Sequence, residues 1–250
     1  MMKTYYITFC YLITFSQTFC QLPPKSTGSF VTGSNISIFN DPKYSYFSSD
    51  TKSNLVKYEN IEGSPYIDNS VGANKMLPIC KFYSPEFEYM ETALARYNAY
   101  TDNIEVSLLE DGVNYYLLRK KLNFLYIMLG QKIYRAYEFD NKIGYFVILS
   151  KNDKGKCVLL KKERVSFKKE EKTENSFVTS SSNRFEKLKD ILYFKFAEGL
   201  VKIPKNKKQF YSLFKNKKDD IKFFTESNRL KIAKNKDLLK ISEYYETLFN

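Results

Sequence analysis

The sequence predicts an α+β fold that is mainly antiparallel β: a curved sheet or partly open β-barrel, followed by two or three short C-terminal amphipathic helices. The 21 Tyr and 21 Phe residues favour strands and a large aromatic core. Between residues 76 and 160, short apolar runs with a period of two are separated by Asn, Asp, Gly and Pro, which favour hairpin turns. After Pro204 the apolar spacing becomes helical.

Residues 1–20 have the pattern of an export signal. Lys3 supplies a positive charge, and residues 7–15 form an uncharged, largely apolar core. Signal peptides need roughly 7–15 apolar residues, whereas a membrane-spanning helix needs about 20. Prolines follow at positions 23 and 24 and would end a helix there. We therefore expect a cleaved signal peptide.

Cleavage after Cys20 would leave Gln21 as the first residue of the exported chain, because small residues stand at the positions that the peptidase reads. A lipid on Cys20 is an alternative, although its neighbours Phe19 and Gln17 match a lipid-attachment site poorly. An uncleaved anchor or a buried segment is the remaining alternative. No other apolar run is long and uncharged enough to span a membrane. We expect a periplasmic, outer-membrane-associated or secreted protein.

Composition divides the rest of the chain into three parts. Residues 21–73 are rich in Ser, Asn, Pro, Gly and Asp, which predicts an extended, loop-rich N-terminal segment. Residues 74–203 contain the alternating runs and form the predicted antiparallel β domain, arranged as a meander. Within it, residues 168–187 are polar and Ser/Thr-rich and predict a long loop. Two more strands should then turn near Gly199.

Residues 204–250 predict the C-terminal helices. Asp219 and Asp220 suit the start of a helix, and Asn228 and Asn235 suit the breaks between helices. Lysines would occupy the polar faces. The apolar residues at helical spacing are Phe210, Leu213, Phe214, Ile221, Phe224, Leu230, Leu238, Ile241, Tyr244, Tyr245 and Leu248.

The positive charge of the chain lies in its second half, because residues 151–250 carry essentially all of the formal charge of +12. This asymmetry indicates an anionic partner, such as an anionic membrane or lipopolysaccharide surface. AT-rich codon usage would give the same excess of Lys without any partner. Nucleic acid is disfavoured, because the protein is expected to be exported and the aromatics have core spacing. The candidate anion-contacting residues are Lys205, Lys207, Lys208, Lys215, Lys217 and Lys218.

The sequence lacks the usual catalytic residues and motifs. It has no His, which excludes Ser-His-Asp and Cys-His catalysis and removes the commonest zinc ligand. It has no GxSxG motif, Walker loop or GxGxxG motif, and we expect no cofactor. Acidic residues crowd residues 86–111, where a pair could serve a hydrolase, although turns and a solvated strand face explain them more simply. They are Glu86, Glu88, Glu91, Asp102, Glu105, Glu110 and Asp111.

Cys80 and Cys157 are the two cysteines that follow the predicted cleavage site. In an oxidising compartment they could pair. Both lie in apolar, strand-like contexts, which favours buried free thiols. The chain has no CxxC motif, so the sequence does not predict a redox site.

The order of these pieces resembles a family of secreted Bacteroidetes proteins that has no established activity. An export signal, "GSPY" at residues 63–66, "ARYNAYTDNIEV" at residues 95–106 and a lysine-rich helical end carry the resemblance, which covers most of residues 60–250. It implies an exported, β-rich domain with a helical tail and no catalytic residue. Read from the residues alone, the matching positions are turn and strand-pairing positions. They are Gly63, Pro65, Tyr66, Arg96, Tyr97, Asn98, Asp102 and Glu105.

These observations predict an exported, non-catalytic cell-envelope or secreted protein that binds an apolar, lipid-like ligand or a partner envelope protein. A hydrolase built on the acidic cluster and an assembly component without a ligand are the alternatives. An apolar groove would favour the ligand, and two carboxylates facing one cleft would favour the enzyme. A sheet face filled by its own side chains would favour the assembly component.

Overall fold

Side chains alternate between the two sides of each strand, and buried apolar clusters lie on both sides of the sheet. The computed structural model of the chain describes residue 47 and residues 61–67, 79–107, 115–170 and 182–249. All of these residues belong to one compact unit, Asn35–Asn250.

Ten described strands form one antiparallel sheet. Each predicted apolar run contains a strand, and the last strand follows a turn at Gly199 as expected. The strands are β1 (Ile79–Tyr83), β2 (Tyr89–Asn98), β3 (Asn103–Ser107), β4 (Tyr115–Leu117), β5 (Tyr126–Leu129), β6 (Lys132–Phe139), β7 (Lys142–Ile148), β8 (Val158–Lys168), β9 (Arg184–Phe196) and β10 (Gly199–Lys202).

The order of the strands in the sheet is β10-β9-β8-β7-β6-β5-β1-β2-β3-β4. Two meanders, β1 to β4 and β5 to β10, therefore lie side by side and are joined through β1 and β5. The prediction of one continuous meander is wrong here, because alternation identifies a strand but not its distant partner. Within the described residues the sheet is open, with β10 and β4 at its two ends.

Residues that lie opposite each other in neighbouring strands share a face of the sheet. We call one side the core face: it carries Phe82 on β1, opposite Ile127 on β5, which lies opposite Tyr134 on β6. These side chains belong to a buried cluster with residues of β2, β3 and β7. The other side, which we call the second face, carries Tyr126 and Arg135 opposite each other on β5 and β6.

Strands β8 and β9 form a long hairpin whose far end reaches the first meander. Their pairing shifts between Lys162 and Arg164, so Glu163 lies at a bulge. Beyond the bulge, Val165 and Phe185 join the core-face cluster. At the other end, β10 comes close to β6, which indicates that the sheet is curved.

Three short helices follow the sheet: α1 (Lys207–Ser212), α2 (Lys218–Ser227) and α3 (Asn235–Thr247). The Asn206 side chain caps α1 by accepting a hydrogen bond from the Gln209 N–H at 3.1 Å. Asp219 and Asp220 occupy the first turn of α2, where negative charge is favourable.

The helices cover the core face of β8 and β9. Leu159 and Phe194, which lie opposite each other in these strands, belong to a buried cluster with Phe214 and Ile241. The Phe194 and Phe214 ring centroids are 5.7 Å apart. The apolar residues with helical spacing are therefore core residues, as their pattern predicted.

The predicted fold class is confirmed in its broad form: a mainly antiparallel α+β protein with an open, curved sheet and C-terminal helices. Strand β8 ends at Lys168 and β9 begins at Arg184, so residue 168 and residues 184–187 of the predicted polar loop 168–187 are strand. The signal peptide, Cys20, Gln21 and most of residues 21–73 lie outside the described residues and stay predictions.

Both described cysteines are free and buried, which confirms that interpretation. Cys80 lies in the core-face cluster, and Cys157 lies in the cluster beneath the helices. Burial raises the pKa of both thiols, which disfavours the reactive thiolate.

Candidate functional site

The pattern residues from the family resemblance come together at the end of β2 and β3. Glu105 is 2% exposed and accepts three hydrogen bonds. The Arg96 Nε donates at 2.6 Å, the Asn98 Nδ2 at 3.0 Å and the Tyr66 hydroxyl at 3.1 Å. The Arg96 guanidinium also lies 4.2 Å from the centroid of the Tyr66 ring and 3.8 Å from that of Tyr115. Glu105 is thus neutralised and enclosed by its own neighbours.

The other pattern carboxylate, Asp102, occupies the β2–β3 turn with φ +56. Its Oδ1 accepts hydrogen bonds from the Tyr97 hydroxyl at 2.8 Å and from the Tyr145 N–H at 3.2 Å. The Lys162 Nζ lies 2.5 Å from the same oxygen. Burial and, next, the Asp102 charge raise the pKa of Tyr97. Gly144 makes room for the Asp102 side chain, because a Cβ on Gly144 would lie 2.7 Å from Asp102 Oδ2.

The segment at residues 62–66, which contains "GSPY", connects two distant parts of the sheet. Glu62 pairs with Arg184 of β9, and Tyr66 pairs with Asn98 of β2. The Ala99 N–H donates to the Pro65 carbonyl at 2.9 Å. Gly63 has φ +79, and a Cβ on it would lie 2.4 Å from the Phe185 carbonyl oxygen. The eight pattern residues therefore hold this segment and the β2–β3 turn in place.

Two further charged clusters were not predicted. Glu163 is 2% exposed and accepts hydrogen bonds from Tyr134 at 2.6 Å and Lys161 at 2.8 Å, and Lys132 lies 3.0 Å away. Burial alone would raise the pKa of Glu163, but these partners together lower it below its usual value. The only sequence signal was a carboxylate between basic residues in an otherwise alternating strand.

The second unpredicted cluster lies on the second face of the sheet, around Arg135. The Arg135 Nη1 donates to Asp153 Oδ2 at 2.5 Å and to the Tyr126 hydroxyl at 2.6 Å. The Tyr126 hydroxyl also donates to Asp153 at 2.5 Å. Burial, followed by this hydrogen bond, raises the pKa of Tyr126. As in the other clusters, each charge faces a partner from the same chain.

The acidic residues considered for a hydrolase separate into different environments. Glu86 and Glu88 are exposed in the β1–β2 turn, and Glu91 is half-buried on β2. Asp102 and Glu105 are held in the clusters described above, and Glu110 and Asp111 lie outside the described residues. Among the residues that the structure describes, no group of three or more His, Cys, Asp and Glu is placed to hold a metal ion.

The candidate anion-contacting lysines are described and line the region around α1 and α2. Lys205, Lys207, Lys208 and Lys218 are exposed. Lys215 pairs with Glu198. Lys217 is half-buried, with its Nζ 5.7 Å from the centroid of the Phe249 ring. Contact of this region with an anion stays a prediction.

The tip of the β1–β2 hairpin is the most exposed aromatic site in the described sheet. Phe87 is 46% exposed and Tyr89 is 59% exposed. The Phe87 ring stacks on Tyr83, with centroids 4.8 Å apart and an interplanar angle of 7°. The Tyr126 ring is roughly perpendicular to the Phe87 ring, with centroids 5.0 Å apart. A phenyl group between two glutamates in a turn was the sequence signal that could have revealed this site.

Comparisons with known proteins add nothing to this description, because no family model, curated protein or solved structure matches the chain. The resemblance to the secreted Bacteroidetes family stays a prediction. In the described part of the chain, no helix has the length and apolar character that crossing a membrane requires.

Proposed function

We propose that this chain is an exported, non-catalytic cell-envelope or secreted protein that acts as an assembly component by binding another protein. The observation that carries the proposal is the filling of the sheet by its own side chains. Tyr134, Tyr145 and Phe82 are among the largest fully buried side chains and pack into the core-face cluster. Phe194 packs beneath the helices.

A lipid-like ligand would need a concave apolar site with a few polar groups to orient it. On the core face, the described apolar side chains instead pack against one another, and the helices cover the face of β8 and β9. On the second face, Tyr137, Phe146 and Tyr193 form a further buried cluster. This packing supports a partner protein over an apolar ligand.

We further propose that the curved sheet works as a partly open barrel. The support is the segment at residues 61–67, which pairs with β9 at Glu62 and with β2 at Tyr66. The hydrogen bonds on Glu105 fix one end of this segment. A partly open barrel whose strands are linked in this way would present a rigid outer surface to a partner, and rigid surfaces lose little entropy on binding.

The exposed lysines of the helical region favour a second, weaker contact with an anionic membrane or lipopolysaccharide surface. Such a contact between solvated charges would weaken as salt is raised, since the Debye length falls from about 10 Å at 0.1 M to about 3 Å at 1 M. It would add to partner binding by holding the protein near the envelope.

Native mass spectrometry of the protein purified from its own envelope fraction tests the main proposal. We expect the intact mass of residues 21–250, alone or with a second protein chain. A stoichiometric apolar molecule on the native protein would contradict the proposal and restore the ligand-binding alternative. A mass that includes residues 1–20 would contradict export by a cleaved signal.

A further inference from the structure

The β1–β2 turn is a rigid platform for the aromatic tip. The Ser84 hydroxyl accepts hydrogen bonds from the N–H groups of Glu86 and Glu88, both at 3.2 Å. The Ser84 N–H donates to the Glu88 carbonyl at 2.8 Å, and the Phe87 N–H donates to the Ser84 carbonyl at 2.9 Å. We call residues 83–89 the aromatic tip. Its rings are held in place before any partner arrives.

Phe87 is an unusual choice for its backbone conformation. Its φ is +70, in the left-handed region, where a bulky residue is strained and Gly or Asn is favoured. The other described non-glycine residues with positive φ are Asp, Asn, Lys or Arg. Since Phe87 also leaves almost half of its surface in water, neither the turn nor the core explains it. Strain of this kind is concentrated at functional sites.

The aromatic tip carries negative charge in a chain of net charge +12. Glu86 and Glu88 are exposed, and no ion pair joins either of them to a cation among the described residues. Elsewhere this chain places cations over its rings: Arg135 lies 4.2 Å from the Tyr126 centroid, and Lys156 lies 4.2 Å from that of Phe249. The exposed rings of the tip, which lie beside carboxylates, are suited to the same cation–π contacts, with the cations supplied by a partner.

The chain itself presents suitable cations. Lys205, Lys207 and Lys208 are exposed at the start of α1 and form no ion pair with a described residue. We call them the lysine group. They follow β10 in the chain, whereas the tip joins β1 to β2. Within the described residues no ion pair joins the tip to these lysines, so the two groups are oppositely charged surfaces of one chain that do not pair with each other.

We propose that the aromatic tip of one copy docks on the lysine group of a second copy. In a dimer with a two-fold axis this contact occurs twice, because each tip meets the lysines of the other chain. Tyr and Phe supply the anchor, and the charges fix the register and speed association. The inference rests on the proposed function, but a different protein partner would contradict only this inference.

Sedimentation velocity of the purified protein over a range of concentrations is the first test. We expect a monomer–dimer equilibrium that shifts towards monomer between about 0.05 M and 0.5 M salt, because exposed ion pairs are screened. A monomer at every concentration in low salt would contradict the proposal. So would a dimer that salt does not weaken.

Substitution of the anchor separates contact from folding. Phe87→Asn suits the left-handed backbone, so the variant should fold, yet it should weaken dimerisation about tenfold or more. Tyr100→Asn is the matched control, because Tyr100 is 45% exposed and also contacts two rings. It should leave the dimer unchanged. Equal effects of the two substitutions, or no effect of Phe87→Asn, would overturn the proposal.

Charge reversal tests which surfaces meet. Glu86→Lys with Glu88→Lys, and separately Lys207→Glu with Lys208→Glu, should each abolish the dimer. An equimolar mixture of the two double variants should restore it, because both contacts then join opposite charges. Glu138→Lys with Glu170→Lys changes the net charge equally at other exposed sites and serves as the control. Failure of the mixture to associate would rule out this pairing of surfaces.

Discussion

Glu105 illustrates how this chain handles charge at the residue scale. The carboxylate is buried, but two side-chain nitrogens and a hydroxyl donate to it. Removing one partner from such a site leaves the other charge without compensation. The resulting loss of stability is much larger than the stability that the intact pair adds relative to apolar residues in the same place. The same logic applies to Asp102, Glu163 and Asp153.

Glu105→Gln should therefore lower the free energy of unfolding by about 3 kcal/mol, because the charge of Arg96 loses its partner while Asn98 and Tyr66 lose a charged acceptor. Urea unfolding at neutral pH measures the change. Glu186→Gln is the control, because its ion pairs with Lys168 and Arg184 are solvated, and it should have little effect. Similar losses in both variants would show that Glu105 is not a structural centre.

Glu163 should make the stability of the protein depend on acid pH. Its pKa is lowered in the folded state, so its stabilisation is present above the unfolded pKa of about 4.3 and is lost as pH falls through the folded pKa. Glu163→Gln should reduce stability at pH 7, and its difference from the native protein should shrink below about pH 4. Urea unfolding at several pH values tests this, with Tyr134→Phe expected to be intermediate. A difference that is constant with pH would contradict the assignment.

Sequence analysis could find these residues only in part. The resemblance identified Glu105, Arg96 and Tyr66. It did not show that the Glu105 carboxylate accepts hydrogen bonds from the other two, since Tyr66 and Glu105 are 39 residues apart. Glu163 was missed because two of its partners, Lys132 and Tyr134, come from β6, which is separated from β8 by β7 in the sheet. Burial of a charge is a property of the assembled sheet.

At the scale of elements, strands were easier to predict than their order. The apolar runs located the ten described strands, because nearly every one of them buries apolar side chains. It could not show that β5 pairs with β1. This pairing brings Phe82 opposite Ile127, although β2, β3 and β4 lie between them in the chain. It also placed the start of β9 too late, since Arg184 and Glu186 are polar residues that pair with β8.

Gly63→Ala tests how the segment at residues 61–67 is attached to β9. Both the positive φ and the close Phe185 carbonyl oppose a side chain there, so the substitution should destabilise the protein by more than about 1 kcal/mol. Gly130→Ala is the matched control: Gly130 has φ +58, but nothing lies within 4 Å of a Cβ. Thermal unfolding should show the larger loss for Gly63. Equal losses would mean that backbone strain alone, without the contact, decides the cost.

At the scale of the whole molecule, the charged residues divide into buried groups that pair within the chain and exposed groups on the surface. The sheet neutralises its buried charges internally, and its large aromatic side chains fill its core. What is left for other molecules is the surface, where the aromatic tip is negative and the lysine group is positive. This organisation supports the proposal that the protein associates with other chains rather than encloses a ligand.

Photo-crosslinking in the cells that make the protein tests this claim most directly. A benzophenone side chain in place of Phe87 should give a discrete crosslinked species with the mass of two chains, joined to residues near Lys207 of the second copy. The same group in place of Tyr100 should give none. A single product with a different protein would support partner binding but not self-association. No product from position 87, or the same products from both positions, would contradict the claim that the protein acts through its aromatic tip.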